Sequence, residues 1–158
     1  MKATVQWKEN LTFVGTPESG FPVRMDADTA SGGSTSGAQP MELIMLGLGG
    51  CTAMDVISIL RKKRQQVTQF EVQVDAPRAQ EHPKVFTSAQ ITYVVVGKNI
   101  DETAVLRSIE LSATRYCPAQ SMFADVFPME LRYEIYEEEA DGNRRLTFQG
   151  IWQGLSTE

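Results

Sequence analysis

One segment limits what this chain can fold into more than any other. The segment from Pro40 to Arg64 is mostly apolar or small as far as Leu60, and Glu42 and Asp55 are its only charges before Arg61. A run of that length invites comparison with a membrane span. Two carboxylates inside it argue against one, because a charge in lipid is costly. The better reading is a helix inside a water-soluble domain, apolar nearly all round and therefore expected to be covered on most sides. Pro40 suits its first position, where the missing N–H is no loss. Glu42 falls in the first turn, where its charge suits the helix dipole. Gly47, Gly49 and Gly50 are poor helix formers, so either another backbone packs close to them or the helix bends there.

The flanks read as strands. Residues 3–7, 11–14 and 21–26 carry apolar or aromatic side chains near period two, including Val5, Trp7, Phe13, Val23 and Met25. Residues 28–39 are small and polar and form a loop long enough to be functional or mobile. After the helix, strands are expected at 69–76 and 85–96. Asp101 can cap a second helix, with Val105, Ile109, Ser112, Ala113 and Tyr116 on its mainly apolar face. Pro118 interrupts that helix, and a short one starts afresh over 118–125. A strand follows at 129–136, giving an α+β domain of order βββ-α-ββ-α-α-β. The domain is drawn as residues 1–136, with 137–158 as a C-terminal tail. In that tail Leu146, Phe148, Ile151 and Trp152 suit a strand or a helix docked on the body or on a partner.

With 158 residues, 42% hydrophobic and 22% charged, the chain is a single soluble domain rather than a disordered one. Its net charge of −5 argues against a general nucleic-acid binder. The basic run Arg61-Lys62-Lys63-Arg64 is read as a solvated helix C-terminus. The N-terminus lacks a secretory signal, so the protein is expected in the cytoplasm. There a pair of cysteines is more often chemical than a structural staple.

Those cysteines, Cys51 and Cys117, lie far apart and on different predicted helices, which excludes a local Cys-x-x-Cys motif. Cys117 precedes Pro118 and can cap the short helix, a position where backbone N–H groups lower a thiol's pKa. It can equally be a space-filler at a helix junction. Cys51 follows a glycine pair that leaves room beside the sulfur, yet free cysteine is also among the most buried residue types. Together the two supply a full thiol cycle. One thiolate is oxidised to a sulfenic acid, the second condenses with it to a disulfide, and an outside dithiol restores both. His82, the one histidine, sits in the polar turn Glu81-His82-Pro83-Lys84 without zinc-type spacing to either cysteine. Metal and triad chemistry are therefore poorly supported, and no phosphate-binding glycine motif is present.

Pro40-Met41-Glu42-Leu43, Gly49-Gly50-Cys51-Thr52-Ala53 and Tyr116-Cys117-Pro118 together resemble the OsmC/Ohr family of bacterial thiol peroxidases, over about residues 1–136, and its shorter YhfA-like branch most closely. The resemblance implies antiparallel sheets around two central cysteine-bearing helices and an intertwined homodimer. It implies that Cys51 attacks organic hydroperoxides and Cys117 resolves it, in oxidative-stress defence. A dithiol such as a lipoyl-bearing protein would be the reductant, and no metal or organic cofactor takes part. Neither nucleic acid nor membrane is an expected partner.

Two departures stand out. Active members carry a glutamate directly after the helix-entry proline, paired with an arginine. Here Met41 holds that place. Glu42 is one residue later, and its nine-residue separation from Cys51 is about 180° round a regular helix. The arginine is absent from its usual hairpin position, where Lys8 is the nearest cation. Arg24 and Arg115 are the candidate replacements. Cys51, Cys117, Arg24 and Glu42 are thus the expected site residues, with Leu46, Met54, Met122 and Phe123 as apolar walls. Without the usual pair, non-catalytic binding of a small apolar ligand or redox sensing are the competing readings.

Overall fold

Period-two patterning at the N-terminus does give strands. In the computed structural model of the chain, which describes residues 1–153, β1 (Ala3–Glu9), β2 (Thr12–Pro17) and β3 (Val23–Met25) pair antiparallel in that order. Trp7 faces Phe13 across the first pair, and a bulge follows Trp7. Asn10 closes the turn at φ 44°, a left-handed conformation that asparagine tolerates well. It is held there by the Trp7 indole, which donates to its carbonyl at 2.9 Å.

The polar loop after β3 is wound around one carboxylate. Asp26, only 2% exposed, accepts hydrogen bonds from the N–H groups of Ala27, Ser34 and Ser36 and from both serine hydroxyls, at 2.6–3.1 Å. Those donors, the Ser34 hydroxyl foremost, hold its carboxyl far below the usual carboxylate range. Asp28 caps a short 3-10 turn over Thr29–Ser31 within the same loop. A segment expected to be functional or mobile is therefore anchored from inside.

The long apolar run forms α1 (Pro40–Lys62). Glu42 reaches back to the N–H of Gln39 at 2.7 Å, which is one half of a capping box. The chain divides into two compact units, Met1–Leu46 and a second from Gly47 onward, and the division falls inside this helix. Within the second unit, Leu48, Thr52, Val56 and Leu60 recur every four residues and are all fully buried. They form the single helical stripe expected of that spacing. The rest differs from the expectation of cover on most sides, since Met54 is 69% exposed in the single chain. Gly49 packs close to a strand, with Val74 3.0 Å from where a Cβ would lie, whereas Gly47 and Gly50 face open space.

The second sheet has the order β4-β5-β6-β7: β4 (Gln66–Asp75), β5 (Ala89–Lys98), β6 (Met129–Glu138) and β7 (Arg144–Trp152). β5 starts later than the expected residue 85. Arg78 and Phe86 form an isolated bridge, and Thr87 N–H bonds the Pro77 carbonyl, so residues 85–88 pair locally. The β5–β6 pairing is parallel, and the other two in this sheet are antiparallel. A parallel pairing needs a crossover. Here it is α2 (Glu102–Leu111), a π-helical turn (Ser112–Tyr116) and α3 (Pro118–Phe123). Asp101 caps α2 through the N–H of Thr103, as expected. Ile91, Tyr93 and Val95 of β5 and Leu131, Tyr133 and Ile135 of β6 share one buried face with Val105 and Ile109 of α2. The open choice for the tail resolves as a strand, β7, whose Trp152, Gly150 and Phe148 lie opposite Leu131, Tyr133 and Ile135. Residues 154–158, the end of that tail, lie outside the described residues.

Candidate functional site

Cys51 sits on α1 beside the buried stripe and is itself half-buried. Cys117 joins the π-helical turn to α3 in extended conformation and is 2% exposed. Pro118 is the first residue of α3 and Cys117 is its cap. The N–H of Gln120 donates to the Cys117 sulfur at 3.4 Å. The cap geometry is thus as expected, but its consequence is reversed. Burial foremost, with the neighbouring Cys51 side chain adding to it, pushes the Cys117 thiol up to about 11 against the lowering effect of the Gln120 and Ala119 N–H groups. Desolvation outweighs the helix start. Both cysteines are free thiols, and the crossover has brought them together.

Near Cys117 lies a cluster of buried polar side chains. Thr52 Oγ1 is 2.6 Å from the Tyr93 hydroxyl and 2.9 Å from Ser112 Oγ, and it accepts from Gln120 Nε2 at 2.8 Å. Gln120 Nε2 also donates to Tyr93 at 3.0 Å, and Ser112 Oγ donates to Asp55 Oδ2 at 3.2 Å. A hydroxyl has one proton and two acceptor positions, so these contacts permit one orientation. Ser112 spends its proton on Asp55, Thr52 donates to Ser112, and Tyr93 donates to Thr52. The chain Tyr93→Thr52→Ser112→Asp55 runs one way, ending on a half-buried carboxylate. Burial pushes the Tyr93 phenol up to about 12, so it stays a donor.

None of these network residues was singled out as functional from sequence. Signals existed. Thr52 is polar on a stripe otherwise made of Leu48, Val56 and Leu60, and a buried hydroxyl requires partners. Tyr93 lies in the middle of an apolar strand, and Ser112 lies on the apolar face expected for α2.

The other expected site residues have partners of their own. The Arg24 guanidinium donates to Ser36 Oγ from Nε at 3.1 Å and from a terminal nitrogen at 3.0 Å. Ser36 in turn bonds Asp26. Glu42 is engaged by the Gln39 N–H. Arg115 stands over the Tyr116 ring, 5.5 Å from its centre. Of the expected walls, Leu46, Met54 and Met122 are exposed in the single chain, while Phe123 stacks on Phe127 at 5.4 Å.

Fold and thiols together define a small α+β protein with two neighbouring free thiols, one half-buried and one buried. The profile of the OsmC-like protein family matches residues 32–132. Protein YhfA of Escherichia coli K12 is 36% identical over 135 residues, covering 85% of this chain and 98% of its own length. The chain belongs to the OsmC family. The crystal structure of a protein from Aquifex aeolicus VF5 superposes with a TM-score of 0.76 at 28% identity, covering 87% of this chain and 97% of the other. An organic hydroperoxide resistance protein from Elizabethkingia anophelis shares the fold at 14% identity, with a TM-score of 0.61 and coverage of 84% and 92%.

Proposed function

We propose that the chain is a thiol-dependent peroxidase that reduces organic hydroperoxides through Cys51 and Cys117. The observation that carries this reading is the meeting of two free thiols from distant parts of the chain, one half-buried and one sealed. The attacking sulfur must be a thiolate within reach of substrate. Cys117 is buried and holds its proton, so Cys51 takes that role. Its sulfur displaces alkoxide from the distal peroxide oxygen, leaving a Cys51 sulfenic acid, and the alkoxide takes a proton from solvent to leave as the alcohol. Cys117 then attacks that sulfur as its proton passes to the departing hydroxyl, water leaves, and a disulfide joins the two. A dithiol, a lipoyl-bearing protein among the candidates, returns two electrons and two protons by exchange. Such a cycle fits a reducing compartment, the cytoplasm. The name of the Elizabethkingia anophelis relative and the apolar Met54, one turn along α1 from Cys51, support an organic substrate.

The working unit in this proposal is a homodimer. Every residue of β1 is exposed in the single chain, Trp7 among them at 62%. On α1, Ile44, Leu46 and Met54 are exposed as well. A soluble chain seldom leaves so many large apolar side chains to water without a partner.

Consumption of cumene hydroperoxide under dithiothreitol tests the activity. Wild type turns over, Cys51→Ser does not, and Cys117→Ser reacts once and then gains the mass of further oxygen atoms. The commitment of Glu42 to Gln39 and of Arg24 to Ser36 favours a second reading, a non-catalytic redox sensor or apolar-ligand binder. Absence of turnover with both thiols still reduced selects it.

A further inference from the structure

We infer that Gln120 is a positioning residue that holds Cys117 in reach of Cys51; this rests on the dithiol reading above. Two parts of one residue serve the two thiols. Its main-chain N–H bonds the Cys117 sulfur at 3.4 Å. Its side-chain amide donates to Thr52 Oγ1 at 2.8 Å, and Thr52 directly follows Cys51 on α1. The same nitrogen donates to the Tyr93 hydroxyl at 3.0 Å, tying α3 to the middle of β5.

The placement answers a mechanical need. α3 is six residues long, too short for its own hydrogen bonds to fix it. It also follows a π-helical turn, whose own tie to α1 is the Ser112 hydroxyl on Thr52, five residues before Cys117. Gln120 is 3% exposed, and burying an amide is costly unless it is paired. A leucine would fill a similar volume without that cost. What the amide adds is direction. A disulfide tolerates only a narrow range of Cα separations, so a tether that narrows the motion of Cys117 raises the effective concentration of one thiol at the other.

The test is the equilibrium of the Cys51–Cys117 couple in buffers of oxidised and reduced dithiothreitol. Each thiol gives up one proton, the pair gives up two electrons, and oxidised dithiothreitol accepts all four. Gln120→Leu is expected to lower the equilibrium constant for disulfide formation by about tenfold, a shift of about 30 mV toward easier reduction. The alkylation rate of Cys51 in the reduced protein is expected to stay within about twofold of wild type, since reactivity before pairing is not what the tether sets. A packing role equal in the reduced and oxidised forms leaves the constant unmoved. An unchanged constant in folded Gln120→Leu therefore overturns the inference. Should Gln120→Leu fail to fold, Gln120→Asn makes the same comparison, because it keeps the amide but shortens its reach. Wild type that forms no disulfide in any of these buffers overturns the dithiol reading itself. That outcome is distinct from a working couple that Gln120 does not tune.

Discussion

At the start of α3, the sulfur of Cys117 receives backbone N–H groups that favour its anion, and it is nevertheless held protonated because water is excluded. Tyr93, fully buried beside the same network, is raised for the same reason. Both shifts bear on stability. The unfolded chain releases the Cys117 proton near 9.0 and the Tyr93 proton near 10.0, while the native state keeps them to about 11 and about 12. Between those limits the unfolded state binds fewer protons, so stability falls as pH rises. The loss is up to about 1.4 kcal/mol per pH unit for each group. Urea midpoints measured at pH 8, 9, 10 and 11 should decline accordingly, and Tyr93→Phe should flatten the part above pH 10. A level profile in wild type would contradict the burial assigned to both groups. Sequence made the cysteines visible because two thiols are rare and chemically distinct. It gave Thr52, Ser112 and Gln120 no functional role because a hydroxyl or amide announces its importance only through partners, and those come from four separate elements.

The same asymmetry holds for elements. α1 was legible because its apolar run, Pro40 and Glu42 agree on one helix. The start of β5 was not, since Val85, Phe86 and Thr87 have strand-forming side chains but give their backbone to residues 77–79. The loop after β3 was legible as a loop only. Its order depends on Asp26, whose role is set by which serines fold back over it. Asp26→Asn should make residues 28–36 more sensitive to proteolysis and lower the melting temperature at neutral pH. The sign with pH follows from a depressed carboxyl. Its stabilisation is fully present above the unfolded value of 3.8 and is lost as pH falls below it toward the native value. The gap in melting temperature between wild type and Asp26→Asn should therefore persist from pH 7 to about 4 and narrow below that. A gap independent of pH would mean that the carboxylate charge is not what orders the loop.

For the whole molecule, the α+β class and the order of elements through residue 136 followed from patterning, and the family from short motifs around the cysteines. Pairing partners did not follow. Nothing in residues 144–152 announces that they extend the sheet beside β6, and nothing in β5 or β6 announces a parallel neighbour, because pairing is decided by the whole chain. Subunit association belongs at this scale. Sedimentation should give twice the mass of the chain, and Trp7→Glu, which puts a charge on an exposed apolar strand, should shift the population toward single chains. A wild type that sediments as a single chain at all concentrations would end the dimer proposal.

The crossover between β5 and β6 also has a consequence for biosynthesis. Cys117 is carried by the later part of that crossover, and Gln120, which bonds its sulfur, comes only three residues after it. At ~5–20 residues added per second, Cys51 leaves the ribosome on the order of several seconds before Cys117. On the proposed peroxidase reading, every newly made chain carries its first thiol for that interval without the partner that would resolve it. Oxidant arriving then finds a sulfur that can be driven past the recoverable state. On that reading, in a cell under peroxide stress the copies at greatest risk are the ones still being made.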